Sequence, residues 1–285
     1  MDLPNGSVML GEVLGRWWET HTPAPLRQVS MQCQTLCDRL DAELDTAAYA
    51  DVDASANGLQ VGSGEREIER VAFAVDTAVE TITRAAGTDA DLLVAHHGIS
   101  FGGIERVTGT HYARLRALFS ADCGLYVSHL PLDGHQTHGN AAGIGDVLGL
   151  RDREAFGNLG GQPVGQRGRL SDPRSLDTIV DQLSPHLDTD GREVQTLPFG
   201  PEEVSQVAIV TGSGIDFLED AAAVGADLLI TGEGKQHGYH EAKERNMNVI
   251  LGGHYATETF GIRALSDLVS EWGLATTVID CPTGL

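Results

Sequence analysis

At 285 residues the chain has room for one large domain or two modest ones, and its formal charge of −22, from 41 acidic against 19 basic side chains, argues against a general nucleic-acid binder. No apolar run reaches the roughly eighteen residues of a membrane span, so a helical membrane protein is excluded as well. Four cysteines without Cys-x-x-Cys spacing and a start unlike a signal peptide point to free thiols in a reducing cytoplasm, and scarce lysine, only Lys235 and Lys243, gives the surface a halophile-like cast.

Residues 1–30, with Pro4, Pro23 and Pro25 and room for a short helix around Trp17 and Trp18, read as an N-terminal extension. It is either a flexible tail or a stretch ahead of the true start at Met31. From there Met31, Cys33, Leu36, Cys37, Leu40 and Leu44 recur at threes and fours and predict the first helix of the domain. Cys33 and Cys37 share a face of it, but two thiolates make only half of a tetrahedral zinc site, so they read as core. Asn57-Gly58-Leu59 marks a turn. Val71 to Val75 and Leu92 to Ala95 read as buried strands around a helix over 77–86, the second strand ending in His96 and His97. A helix over 110–121, a strand over 125–128 and a helix near 139–148 follow. Residues 151–200 read as a connection that carries a helix-like stretch from Leu176 to Leu187.

The same grammar then returns. Val207 to Val210, a helix near 215–223 and Asp227 to Ile230 mirror residues 71–94, with Asp91 and Asp227 each twenty residues after the opening valine. His129 stands four before Asp133, and His254 stands four before Glu258. The fold expected is α/β, with two related lobes from an internal duplication, about 31–150 and 201–285. Its sheets should be mostly parallel and the lobes should face one metal cleft.

Paired histidines at a strand's carboxyl end can splay toward two neighbouring ions, because the chain is turning there. Asp133 offers an oxygen able to bridge two cations, and His254 and Glu258 present one face at the start of a predicted helix. All three motifs follow strands that end at what should be one sheet edge. His96, His97, Asp133, His254 and Glu258 therefore form a candidate ligand set for two transition-metal ions, zinc, iron, manganese or cobalt, divalent or trivalent. Two ions roughly 3.5–4 Å apart suit hydrolysis at a phosphoryl or acyl centre. Glu233, which stands in the second half where His97 stands in the first, and His129 are candidate catalytic residues, as general base or as groups orienting a ligand. His135 and His138 could add a ligand. Lys235, His237 and His240 could meet an anionic substrate, and Gly212-Ser213-Gly214 precedes a helix but lacks the lysine and spacing of a phosphate loop.

Asn57-Gly-Leu-Gln-Val-Gly62, Leu93-Val-Ala-His96-His97, Ser128-His129 with Asp133, Thr231-Gly-Glu233 and Gly253-His254-Tyr-Ala-Thr-Glu258 together resemble the dinuclear metal-centre hexamer family. Its members go by the names GTP cyclohydrolase I type 2 homologue and NGG-interacting factor. The resemblance runs from about residue 31 to the C-terminus and matches the compact form without an inserted middle domain. It implies ligation by the five residues above, a two-lobed α/β protomer and a toroidal homohexamer built as a trimer of dimers. Gly98 departs from the proline that many relatives carry after the paired histidines, so a more mobile loop is expected over 98–103. The function expected is a metal-dependent hydrolase of a small phosphorylated or nucleotide-like substrate. The alternative is a non-catalytic metal-binding or chaperone-like ring.

Overall fold

Val71–Val75, Leu92–Ala95, Val207–Ile209 and Leu228–Ile230 are all at or below 2% exposure, as strands covered on both faces must be. The computed structural model describes residues 29–285. The expectations for Trp17 and Trp18, and for nearly all of the 1–30 extension, fall outside those residues.

The first half runs β1 (Met31–Gln32), α1 (Cys33–Glu43), β2 (Gly58–Val61), β3 (Glu67–Ile68), β4 (Arg70–Asp76), α2 (Val79–Ala86), β5 (Leu92–His97), α3 (Gly109–Ser120), β6 (Gly124–Val127), α4 (Leu130–Gly134) and α5 (Asn140–Leu148). There follow β7 (Arg151–Leu159), β8 (Gln162–Ser175), α6 (Leu176–Leu183) and β9 (Gln195–Pro198). The second half then runs β10 (Glu203–Ile209), α7 (Leu218–Ala223), β11 (Leu228–Thr231), α8 (Gln236–Glu244), β12 (Asn248–Leu251), α9 (His254–Thr257), α10 (Thr259–Glu271) and β13 (Ala275–Val278). Among the described residues no helix is long and apolar enough to cross a membrane.

One sheet has the order β13-β4-β5-β6-β2, parallel except for β2, and Gly58 opens β2 at φ 98°, so the expected turn leads straight into a strand. The other has the order β7-β8-β10-β11-β12-β9. Its centre, β10 to β12, is parallel, whereas β8 and β9 flank it antiparallel and β7 pairs antiparallel with β8. Four strands thus recur in one arrangement, β4-β5-β6-β2 and β10-β11-β12-β9. Asp91 accepts the backbone N–H of Glu69 and Arg70 at 2.8 and 3.0 Å, and Asp227 accepts those of Ser205 and Gln206, both at 2.8 Å. The twenty-residue echo therefore marks two carboxylates that tie the start of one strand to the start of the next.

Chain order does not set the lobe limits. Residues 151–200 are no mere connection, since β7, β8 and β9 extend the second sheet and Ile179 and Leu183 of α6 pack in its core. The helices that follow the third strand of each half cross over. Ala141, Ile144 and Leu148 of α5 pack with Val207, Ile209 and Leu228, whereas Ile262, Leu265 and Val269 of α10 pack with Phe73, Leu92 and Val94. β13, the last strand, closes the first sheet against β4. Lobes drawn at 31–150 and 201–285 thus cut through both cores.

Candidate metal centre

The candidate ligands come from the carboxyl ends of two sheets, where the sequence suggested one sheet edge. β5 supplies His96 and His97, the short helix α4 after β6 supplies Asp133, and α9 after β12 supplies His254 and, at its C-cap, Glu258. β5 leaves the sheet at its end: Ala95 is the last residue paired with β6, and His97 is paired only with Asp76 of β4. Freed from strict alternation, the two imidazoles lie 4.6 Å apart between ring centroids and tilt by 46°.

Glu258, 3% exposed, is the common neighbour. Its Oε1 lies 3.1 Å from His254 Nε2 and 3.5 Å from His96 Nε2, and its Oε2 lies 3.3 Å from His97 Nε2. Asp133 Oδ1 lies 3.6 Å from His96 Nε2 and accepts hydrogen bonds from Asn140 Nδ2 and Thr211 Oγ1. Close approach of the backbone is built in at Gly212, where a Cβ would sit 2.2 Å from Glu258 Oε1.

Each imidazole is held by its other nitrogen. His96 Nδ1 donates to the Ser128 carbonyl at 2.9 Å, and His97 Nδ1 donates to Asp76 Oδ1 at 2.8 Å. Glu233 Oε1 faces His254 Nδ1 at 3.3 Å and is itself gripped by the Ser213 hydroxyl. His129 Nδ1 donates to Asp53 Oδ1 at 2.8 Å, and Asp53 also accepts from Ser55 N, Asn57 Nδ2 and Leu130 N. Partners of this kind fix the tautomer and turn the free nitrogen toward a shared centre.

Two buried atoms of this centre lack a hydrogen-bond partner, His96 Nε2 and Glu258 Oε2. Leaving such atoms unpaired is costly, whereas ligand atoms about 3–3.5 Å apart are what a shared tetrahedral zinc-like ion spaces. Three trios have ligand atoms within 4.8 Å of one another: His96, Asp133 and Glu258; His97, His254 and Glu258; and His96, His97 and His129. The nitrogen and oxygen donor set thus fits transition-metal ions. Electrostatics agree. Burial opposes charge on His96, yet Asp133 and Glu258 lift its imidazole to about 10, and Glu258 and Glu233 lift half-buried His254 to about 9. Burial likewise opposes charge on Glu258, but the imidazoles of His96 and His254 hold it far below the usual carboxylate range. The carboxylates call for positive charge, proton or metal ion.

A cavity of about 570 Å³ opens onto this cluster and is lined by His97, His129 and Asp133 from the first half and Glu233, His254 and Glu258 from the second. That size is usual for a small-molecule site.

Other candidates lie elsewhere. His135 Nδ1 accepts the backbone N–H of His138 at 2.8 Å, and both rings face Glu43 outside the three trios. Lys235 and His237 share Asp216 at the surface, so neither is a free cation for substrate. The N–H groups of Gly212 and Gly214 already donate to Thr257 and Thr231 hydroxyls, which removes the turn between them as a phosphate cradle. The loop after Gly98 is pinned rather than loose: Ile99 N donates to Gln60 Oε1, Ala56 N to Ser100 O and Gly102 N to Ala54 O. Asp53 and Asp76 escaped the sequence reading, and Ser213 entered it only as part of a turn and not as a partner of Glu233. Asp76 had one signal, a carboxylate ending a buried strand as His96 and His97 end theirs.

Residues 31–283 match the family described as Duf34/NIF3 (NGG1p interacting factor 3). A Halobacterium salinarum protein named GTP cyclohydrolase 1 type 2 homolog is 49% identical over 255 residues, 90% of this chain and 100% of that protein. One of the same name from Pyrococcus abyssi is 42% identical over 256 residues, again 90% and 100%. Among solved structures, TTHA1606 from Thermus thermophilus superposes with a TM-score of 0.79 at 36% identity, covering 90% of this chain and 100% of its own. The structure of protein ybgI, whose function is given as unknown, superposes with a TM-score of 0.80 at 32% identity over the same shares.

Proposed function

The chain belongs to the Duf34/NIF3 family, and from that premise we propose that it is a dinuclear metal-dependent hydrolase of a small phosphorylated or nucleotide-like substrate. The observation that carries this reading is the pair of buried, unpartnered atoms, His96 Nε2 and Glu258 Oε2, beside a cavity open to small molecules. His96 and Asp133 would hold one ion, His97 and His254 the other, and Glu258 both. When bound, such a pair supplies Lewis acidity and a more acidic water.

The chain's own groups supply the rest. Asp53 accepts from His129 Nδ1, which leaves Nε2 as the basic nitrogen, and a ring nitrogen of His129 lies within 4.8 Å of those of His96 and His97. His129 is therefore the general base in this reading, with Asp53 stabilising the imidazolium that forms when it takes a proton from water. Glu233 is a weaker base, because the Ser213 hydroxyl, ahead of the opposing effect of burial, lowers its pKa. Its part is to orient His254. Phe101, Val164, Phe217 and Leu285 give the cavity an apolar wall, which favours a substrate with a flat apolar portion such as a nucleobase. The guanine ring opening suggested by the names of the relatives is one candidate reaction. A toroidal homohexamer remains the assembly proposed.

Screening zinc-, iron- and manganese-loaded protein against nucleotides, phosphoesters and GTP tests the proposal. Turnover should fall by roughly 10²-fold or more in His129→Gln at unchanged metal content. No turnover with any substrate, from protein that holds its ions, would favour the non-catalytic ring instead.

A further inference from the structure

A second cavity, about 390 Å³, adjoins the metal centre and shares Asp76, His97 and Phe101 with it. Its outer wall includes Thr77 from the turn after β4, and His111 and Arg114 from α3. In each of these three residues a buried polar atom lacks a hydrogen-bond partner: Thr77 Oγ1, His111 Nδ1 and Arg114 Nε.

Eight arginines, at positions 66, 70, 84, 153, 167, 169, 245 and 263, pair with carboxylates. Seven arginines of the described residues pair with no carboxylate, and of these only Arg114 and Arg174 are partly buried. Arg174 donates to Leu148 O and Gln182 Oε1, whereas Arg114 Nε is buried with no partner. A partly buried guanidinium without a carboxylate is unexpected in a chain with 41 acidic side chains. Asp76 shares the cavity, but its Oδ1 is taken by His97 Nδ1 at 2.8 Å. A guanidinium donates and never accepts, and an imidazole nitrogen and a hydroxyl can both donate. Thr77, His111 and Arg114 thus bring donor-capable groups, each with a buried atom that lacks a partner, to the edge of one cavity.

We infer that this cavity is an anion subsite, in which Arg114, His111 and Thr77 hold a non-reacting phosphoryl group of a substrate whose reacting portion lies at the metal centre across His97. Three donors suit the several oxygens of a phosphoryl group, and the guanidinium fork suits it best. The net charge of −22 repels such a ligand at long range, so a local unpaired cation beside the bound ions is what would let it settle. The subsite rests on the hydrolase reading for its substrate, although its occupation by an anion does not require turnover.

The test is calorimetric titration of the zinc-loaded full chain with inorganic phosphate at fixed ionic strength. Parent, Arg114→Gln, His111→Asn and Arg116→Gln are compared, with zinc content checked in each. Arg116 is exposed on the same helix and does not line the cavity. Arg114→Gln should weaken binding by about tenfold or more and His111→Asn by a smaller factor, with Arg116→Gln unchanged. Equal affinity in Arg114→Gln and parent at equal zinc content would place the phosphate on the ions and overturn the subsite. So would equal weakening in Arg114→Gln and Arg116→Gln, which is a general charge effect. If Arg114→Gln fails to fold, unchanged affinity in His111→Asn overturns it in the same way. Loss of phosphate binding in Arg114→Gln, with no hydrolysis of any substrate by the parent, would leave the subsite standing and remove the hydrolase.

Discussion

Glu258 faces three imidazoles with two oxygens at 3.1–3.5 Å, and no other side chain of the cluster touches both halves of the ligand set so evenly. With two ions bound as proposed, a carboxylate in that position would neutralise both at once, and its loss would leave like charges facing each other across a few ångströms. Glu258→Gln keeps size and packing, and should lower occupancy of both ion sites with the fold intact. His97→Ala should preferentially empty one, because in the proposed arrangement His97 would serve a single ion. Metal counts on both variants, with circular dichroism as the check on folding, separate these outcomes, and two tightly held ions in Glu258→Gln would show that it bridges nothing. The five candidate ligands were legible because each stands within seven residues of the end of an apolar strand. Their supports were not. Asp53 lies 76 residues from His129 and Ser213 lies 20 from Glu233, and only the fold brings these pairs into contact.

The crossed helices α5 and α10 decide how the elements share stability. Leu265 of α10 is fully buried among residues of the first sheet, although it follows the strands of the second. Leu265→Ala should cost about 2–5 kcal/mol. Because the helix belongs to one half by sequence and to the other by packing, the loss should move a single unfolding transition. Urea melts followed by far-ultraviolet circular dichroism and by tyrosine and tryptophan emission should therefore shift together, and a variant in which only one probe shifts would indicate lobes that unfold separately. The central strands β4, β5, β10 and β11 were legible from unbroken apolar runs. The hairpin β7–β8 was not: only Phe156 and Gly157 of β7 are buried, and an edge strand so exposed carries no period. β13 is four residues of half-exposed sequence, and its pairing with β4 spans about two hundred residues that no local pattern reports.

Across the whole molecule, a charge of −22 on 285 residues sets a self-repulsion that the folded state must bear. Raising potassium chloride from about 0.15 M to 1 M shortens the screening length from about 8 to about 3 Å, so the thermal midpoint should rise. A midpoint that is flat or falling over that range would mean that the surface carboxylates are not a net burden. The same field bears on the centre, where buried Asp133 and Glu258 gather imidazoles from both halves of the chain around atoms that lack protein partners. The number of ions held there decides between a dinuclear centre and a simpler one. Elemental analysis of the full chain, purified without chelator and reconstituted in turn with zinc, iron and manganese, should give two ions per chain with at least one of these metals. One ion or none with every metal would contradict it.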